Sequence, residues 1–321
     1  MWNLDSTHEL TIGFKADSLK GMKSKYLFLP LSVAVFMFSS WQALADPSIT
    51  FDVIATFDYP NASPSTYPLG INDHGDTAGY FDHVIPYRRG FVRSRDGMFS
   101  RPIIDPASSG DVTTVTGINN ANTVCGYHLG GVTYTSFFLA GTTFTEFDIA
   151  GSTGTEVRAL NDAGDFCGDE RASDGSRYLG FVSIGGTVST FSFAGATFTF
   201  AYGINNLGQS VGYYDTTNAS HGFRRDSDGT LTAPIDPPGA RSTNLYGIND
   251  RGWMVGTGYD NAGGHGLFFQ TVSRVTTFDY PGSTTTVFTG INNRGLICGW
   301  YQDSSFVSHG FIARVNVVDN E

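Results

Sequence analysis

The chain of 321 residues carries 40 Gly, 26 Phe and 15 Tyr, only 15% of it is charged, and its formal net charge is −11. Glycine and aromatics at this density with so few charges describe a turn-rich β protein and exclude a long helical or disordered chain. An acidic surface of this kind repels nucleic acid and anionic lipid, so neither is an expected partner.

Residues 1–21 are polar and contain Asp5, Glu9 and Asp17. Residues 26–38 are almost wholly apolar, preceded by Lys20, Lys23 and Lys25 and followed by Ala43-Leu44-Ala45. That order is the basic, apolar and small-residue succession of a signal peptide, which places the true start at Met22 and cleavage after Ala45. About 13 apolar residues at ~1.5 Å each cover only ~20 Å of a ~30 Å hydrocarbon core, so a membrane anchor fits less well. Residues 1–45 are thus read as extension and signal, and residues 46–321 as one exported domain, extracellular or periplasmic, with no membrane span after cleavage. It keeps no lysine, and acids outnumber arginines.

A strand-like segment, residues 51–58, comes first, and then one pattern recurs six times about every 44 residues. It begins at Gly70-Ile71-Asn72, Gly117-Ile118-Asn119, Ala159-Leu160-Asn161, Gly203-Ile204-Asn205, Gly247-Ile248-Asn249 and Gly290-Ile291-Asn292. An apolar run ending in this triplet reads as a first strand, and an Asn-Asp-x-Gly type of turn leads into a second. His221-Gly222-Phe223, His265-Gly266-Leu267 and His309-Gly310-Phe311 open third strands, and fourth strands end in acidic turns such as Asp236-Pro237 and Asp279-Tyr280. Four strands of ~5–6 residues with short loops fill such a unit. The last unit stops after its third strand, while residues 51–58 precede any first strand. The expectation is a six-bladed β-propeller of four-stranded repeats, closed by the N-terminal strand so that no sheet edge is left open.

The Gly-Ile-Asn-(Asn/Asp)-x-Gly-x-x-x-Gly stretch, followed about nine residues later by His-Gly-Phe, resembles the bacterial extracellular repeats of the HAF family. The likeness covers residues 51–318. It implies an exported repeat protein and carries over no catalytic residue. Unit 3 departs from it at Ala159, Leu179 and Ser192; Ser136 and Arg89 replace the histidine in units 2 and 1.

The three strand-opening histidines are spread among units without close zinc-type spacing, so each is expected to bond a nearby backbone group or acid and not a metal. Cys125, Cys167 and Cys298 share one repeat position, where other units have Ala78, Val211 and Val255, which implies three separate buried thiols. Asp226-Ser227-Asp228-Gly229 is a fragment of a calcium loop but reads better as a hairpin turn. No nucleophile elbow, zinc-binding helix or phosphate loop is present, so no catalytic residue, metal or cofactor is expected.

The aromatic residues near the ends of the second strands and the acids beside them remain: Tyr80, Tyr127, Tyr213 and Trp300, with Asp215 and Asp303. Aromatic rings can stack on a sugar face while carboxylates accept from its hydroxyls. The function expected is a monomeric binding module for an extracellular carbohydrate or protein. A hydrolase or lyase with acids at the channel mouth and a structural surface protein are the alternatives. Packing of the same rings between blades competes with all three.

Overall fold

The computed structural model describes residues 48–84 and 87–318. The export segment and its cleavage site at Ala45 lie outside these residues. Every regular element described is a strand, and no helix is long and apolar enough to cross a membrane.

The chain opens with β1 (Ser48–Phe57), then β2 (Thr66–Ile71), β3 (Thr77–Val84) and β4 (Tyr87–Arg93). The second unit holds β5 (Thr113–Ile118), β6 (Val124–Gly130), β7 (Thr133–Ala140) and β8 (Thr143–Phe147). The third holds β9 (Thr155–Leu160), β10 (Phe166–Arg171), β11 (Tyr178–Ile184) and β12 (Thr187–Phe191). The fourth holds β13 (Thr199–Ile204), β14 (Ser210–Asp215), β15 (Ser220–Arg225) and β16 (Leu231–Ile235). The fifth holds β17 (Ser242–Ile248), β18 (Met254–Tyr259), β19 (Gly264–Thr271) and β20 (Arg274–Phe278), and β21 (Thr285–Ile291), β22 (Leu296–Gln302) and β23 (Ser308–Val318) complete the chain.

Hydrogen bonding separates four blade-sized sheets, not the six expected, and joins the remaining strands into one eight-stranded sheet. The eight-stranded sheet takes in the last two units together with β1, which accounts for the count, and the first unit is short of one strand. The sheet of β2, β3 and β4 lacks a fourth strand, because residues 99–103 touch β4 only through the isolated bridges Arg93–Phe99 and Gly90–Ile103. The eight-stranded sheet arises because β19 and β21 share a single parallel pair, Gly264 with Thr285.

Closure follows the sequence expectation: β1 pairs antiparallel with β23, from Ser48 opposite Val318 to Phe57 opposite Gly310. The strands wind around one channel, and a ring of side chains makes this explicit. Asn72 Nδ2 donates to the Asn119 carbonyl, Asn119 to Asn161, Asn161 to Asn205, Asn205 to Asn249, Asn249 to Asn292, and Asn292 back to Asn72, all at 2.8–3.2 Å. The same asparagines organise their own hairpins, since Asn205 Oδ1 accepts from Leu207 N and Gln209 N. One residue type at this position therefore forms the turn and ties each unit to the next. The architecture is an all-β propeller.

Glycine precedes the Ile-Asn pair because neighbouring first strands nearly touch at the channel waist. A Cβ on Gly70 would lie 2.9 Å from Gly117 Cα, and one on Gly203 would lie 2.7 Å from the Tyr246 carbonyl oxygen. Farther from the axis the sheets pack through phenylalanines of the third strands, Phe91, Phe137, Phe181, Phe223 and Phe311, all fully buried. Burying such a ring is worth about 2–3 kcal/mol, so this layer carries much of the fold's stability.

Candidate binding site

The channel has two differently built mouths. At one, the residue after each ring asparagine alternates around the axis: Asp73, Asn120, Asp162, Asn206, Asp250, Asn293. Each amide nitrogen bridges two carboxylates; Asn206 Nδ2 reaches Asp162 at 3.1 Å and Asp250 at 3.0 Å. Each backbone N–H is also taken by the neighbour's side-chain oxygen, as Asn206 N is by Asp250 at 2.8 Å. Donors and acceptors satisfy one another, so these acids are committed to the ring.

The other mouth opens as a pocket of about 240 Å³. Its floor comes from a repeated irregularity of the first strands. In each unit the ladder skips the residue just before the channel glycine, or before Ala159 in unit 3. A bulge of this kind re-aims the unpaired side chain. The six skipped residues are Leu69, Thr116, Arg158, Tyr202, Tyr246 and Thr289, and all six line the pocket. Tyr80, Tyr127 and Trp300 from the second strands, with Val287, complete the wall.

Arg158 is the charged residue of this lining. Its Nε lies 2.7 Å from Asp169 Oδ1 and its Nη2 lies 2.8 Å from Glu156 Oε2, with Asp169 only 1% exposed. Nη1 donates to the Tyr127 hydroxyl at 3.3 Å, and the guanidinium sits 5.1 Å from the Tyr127 ring centre and 4.9 Å from that of Tyr202. Burial opposes the Arg158 charge, but Asp169 and Glu156 outweigh it and hold the guanidinium firmly protonated. Burial, and to a lesser degree the Glu156 carboxylate in the same small space, lifts Asp169 to about 7 against the pull of Arg158. Burial also pushes the Tyr127 phenol up to about 12, so it is a neutral hydroxyl at ordinary pH.

The residues singled out by sequence separate into two groups. Tyr80, Tyr127 and Trp300 meet in the pocket. Tyr213 stands behind it, stacked on Tyr202 at 5.5 Å and edge-on to Tyr246. Asp215 accepts from the backbone N–H groups of Thr197 and Phe198, and Asp303 from those of Ser305 and Val307. Asp215 thus ties the segment before β13 to the end of β14, Asp303 stabilises its own turn, and neither lines the pocket. Arg158, Tyr202 and Tyr246 escaped the sequence reading, although the position before the channel glycine varies conspicuously among otherwise similar repeats.

The histidines pair with acids of the fourth-strand ends, as expected: His221 with Asp236 at 2.7 Å, His265 with Asp279 at 2.8 Å, and His309 with Asp58 at 3.0 Å. The last of these links β23 to β1. In unit 1 Arg89 replaces the histidine and pairs with Asp111, and the acid Asp105 is met by His128 from the next unit at 3.1 Å. The three cysteines are free and buried, and burial raises Cys125 and Cys298 to about 12. Asp226 closes a turn with Gly229, whose φ is +91°.

No family model matches the chain, and no curated protein matches it. Among solved structures it is similar to a mutant of AofleA from Arthrobotrys oligospora, with a TM-score of 0.52 at 10% identity over 85% of this chain and 90% of that chain. It is also similar to a mutant Aleuria aurantia lectin in complex with Fucα1-6GlcNAc, with a TM-score of 0.49 at 12% identity over 81% and 98%. A third is the β-propeller domain of the Trilobed protease from Pyrococcus furiosus, with a TM-score of 0.47 at 7% identity over 80% and 99%. At such identities the likeness is one of fold alone.

Proposed function

We propose that this protein is an exported binding module that receives carbohydrate in the pocket above Arg158. The carrying observation is convergence: six bulged side chains and three second-strand aromatics, from all six repeats, meet in one pocket with five aromatic rings. Rings such as Tyr246 and Trp300 suit the apolar face of a sugar, while the neutral hydroxyls of Tyr80 and Tyr127 suit its rim. Asp169 and Glu156 are already held by Arg158, and the acids of the opposite mouth are held by the asparagines. These commitments favour binding over hydrolase or lyase chemistry.

The same reading takes the molecule as six-bladed, the eight-stranded sheet counting as two blades joined at Gly264 and Thr285. The six-membered asparagine ring supports that count. Cleavage after Ala45, an extracellular or periplasmic location and kinship with HAF repeats belong to this proposal and rest on the sequence.

The test is a glycan panel titrated against residues 46–321, with Trp300→Ala in parallel. A central aromatic anchor is worth ~2 kcal/mol, about thirtyfold in affinity. Affinity should fall by that factor while the variant still unfolds cooperatively. An unchanged affinity in folded Trp300→Ala, or retention of no glycan by the wild type, would remove carbohydrate from this pocket.

A further inference from the structure

A second cleft opens where the packing between repeats breaks its own rule. In units 1, 4 and 6 the second residue after the second-strand glycine is aromatic. It lies flat on an aromatic residue from the turn before that unit: Phe81 on Tyr59 at 3.8 Å, Tyr214 on Phe193 at 3.9 Å, and Tyr301 on Tyr280 at 3.7 Å. His128 and Glu170 fill the position in units 2 and 3, at 2% and 8% exposure. Unit 5 has Gly258 there, opposite Pro237, and Leu267 stands where the other units place a third-strand phenylalanine. Three reductions in size at one junction leave a cleft of about 180 Å³, lined by Pro237, Pro238, Gly258, Tyr259, His265 and Leu267. It shares no lining residue with the channel pocket.

We propose that this cleft is a binding site for one aromatic ring carrying a hydroxyl, the chemistry of a phenol or of a tyrosine side chain, which takes the place that Tyr214 and Tyr301 occupy in their own units. Size agrees, since an apolar cavity of about 150 Å³ accommodates benzene. Surroundings agree as well. Tyr214 lies 5.6 Å from the ring of His221 and Tyr301 lies 5.2 Å from that of His309, and His265 is the corresponding histidine in unit 5. A ring entering over Gly258 meets Pro237 on one face and the His265 imidazole beside it. Both nitrogens of His265 are occupied, by Asp279 at 2.8 Å and Asp260 at 3.1 Å. Two carboxylates around one histidine leave acceptor capacity for an incoming hydroxyl. Tyr259, 37% exposed, adds an aromatic rim.

The experiment titrates p-cresol against residues 46–321 by ligand-observed NMR, with N-acetyl-tyrosinamide and methyl glucoside as parallel probes. Gly258→Tyr supplies the missing ring from the protein itself. Its new Cβ would lie 3.0 Å from Leu267 Cδ1, the movable tip of a side chain, so the substitution is expected to fold. Leu267→Phe, which narrows the cleft with the residue of the sister units, is the second variant. Binding of p-cresol should weaken at least tenfold in each and remain unchanged in Trp300→Ala. Binding of both phenols points to a partner's tyrosine, and binding of p-cresol alone to a small phenolic compound; either upholds the site. Absence of p-cresol binding, binding in both cleft variants as tight as in the wild type, or binding of methyl glucoside alone would overturn it. Loss in Trp300→Ala alone would move the phenol to the channel pocket.

Discussion

The two mouths of the channel are built from neighbouring positions of one repeat, yet one is uniform and the other is not. At the asparagine mouth every unit has Asn, then Asp and Asn in strict alternation, and each ring amide N–H₂ and each following backbone N–H is taken by the next unit, while the ring Oδ1 atoms hold their own hairpins. At the pocket mouth the bulge position holds Leu69, Thr116, Arg158, Tyr202, Tyr246 and Thr289, which differ in size, polarity and charge. The backbone is the same at both. Sameness marks the side chains that close the ring, and variety marks those the ring merely presents. Thr116 and Thr289 lie between these cases, because their hydroxyls also bond the next unit's carbonyls, Val157 and Pro68, at 2.8 Å.

The sharpest way to break this contrast is at Arg158. Arg158→Met strands Asp169 and Glu156 in a buried space, and losing one partner of a buried ionic group costs about 3–5 kcal/mol. Urea unfolding should show that loss. Adding Asp169→Leu and Glu156→Leu should restore most of it, because an apolar cluster of similar volume needs no charge partner. If Arg158→Met alone costs under about 1 kcal/mol, the triad is not the electrostatic unit described above.

At the opposite mouth the alternation itself can be broken. Asp162→Asn sets an amide against the amides of Asn120 and Asn206, giving up two hydrogen bonds for a loss of about 1–2 kcal/mol. Asn206→Asp sets a carboxylate between Asp162 and Asp250, and that loss should shrink as salt rises. Equal tolerance of both changes in thermal unfolding, at low and high salt, would show that the ring contributes little.

The smallest effect concerns His265. Burial works against its protonated form, but hydrogen bonds to Asp279 and Asp260 outweigh burial and raise its pKa above the usual value. A raised folded-state pKa stabilises the protein fully below the unfolded value near 6.5, and that contribution fades as pH rises through the folded value. His265→Gln should therefore lie below the wild type in midpoint at pH 6 and converge with it toward pH 9. A gap that stays constant across this range would assign the loss to packing.

The sequence by itself determined the repeat, the order of strands within it and the closure of the circle by β1. Those depend on local chemistry: the Asn-Asp-x-Gly turns, the recurring Gly-Ile-Asn triplet and a strand-like segment placed before the first unit. It also singled out Tyr80, Tyr127 and Trp300, since an aromatic residue after a strand glycine is visible in a single unit. Tertiary structure alone decided the rest. Hydrogen bonding between β19 and β21 merged sheets that the repeats kept apart, and the outer segment of the first unit met β4 only through two isolated bridges. The bulges turned the residues before the channel glycine inward, which made Arg158, Tyr202 and Tyr246 neighbours although about 44 residues separate each from the next. The cleft at Gly258 exists only because Pro237 and Leu267 are small at the same junction. Periodicity records what each unit needs in order to fold, whereas a pocket is a sum over units that meet only when the ring is closed.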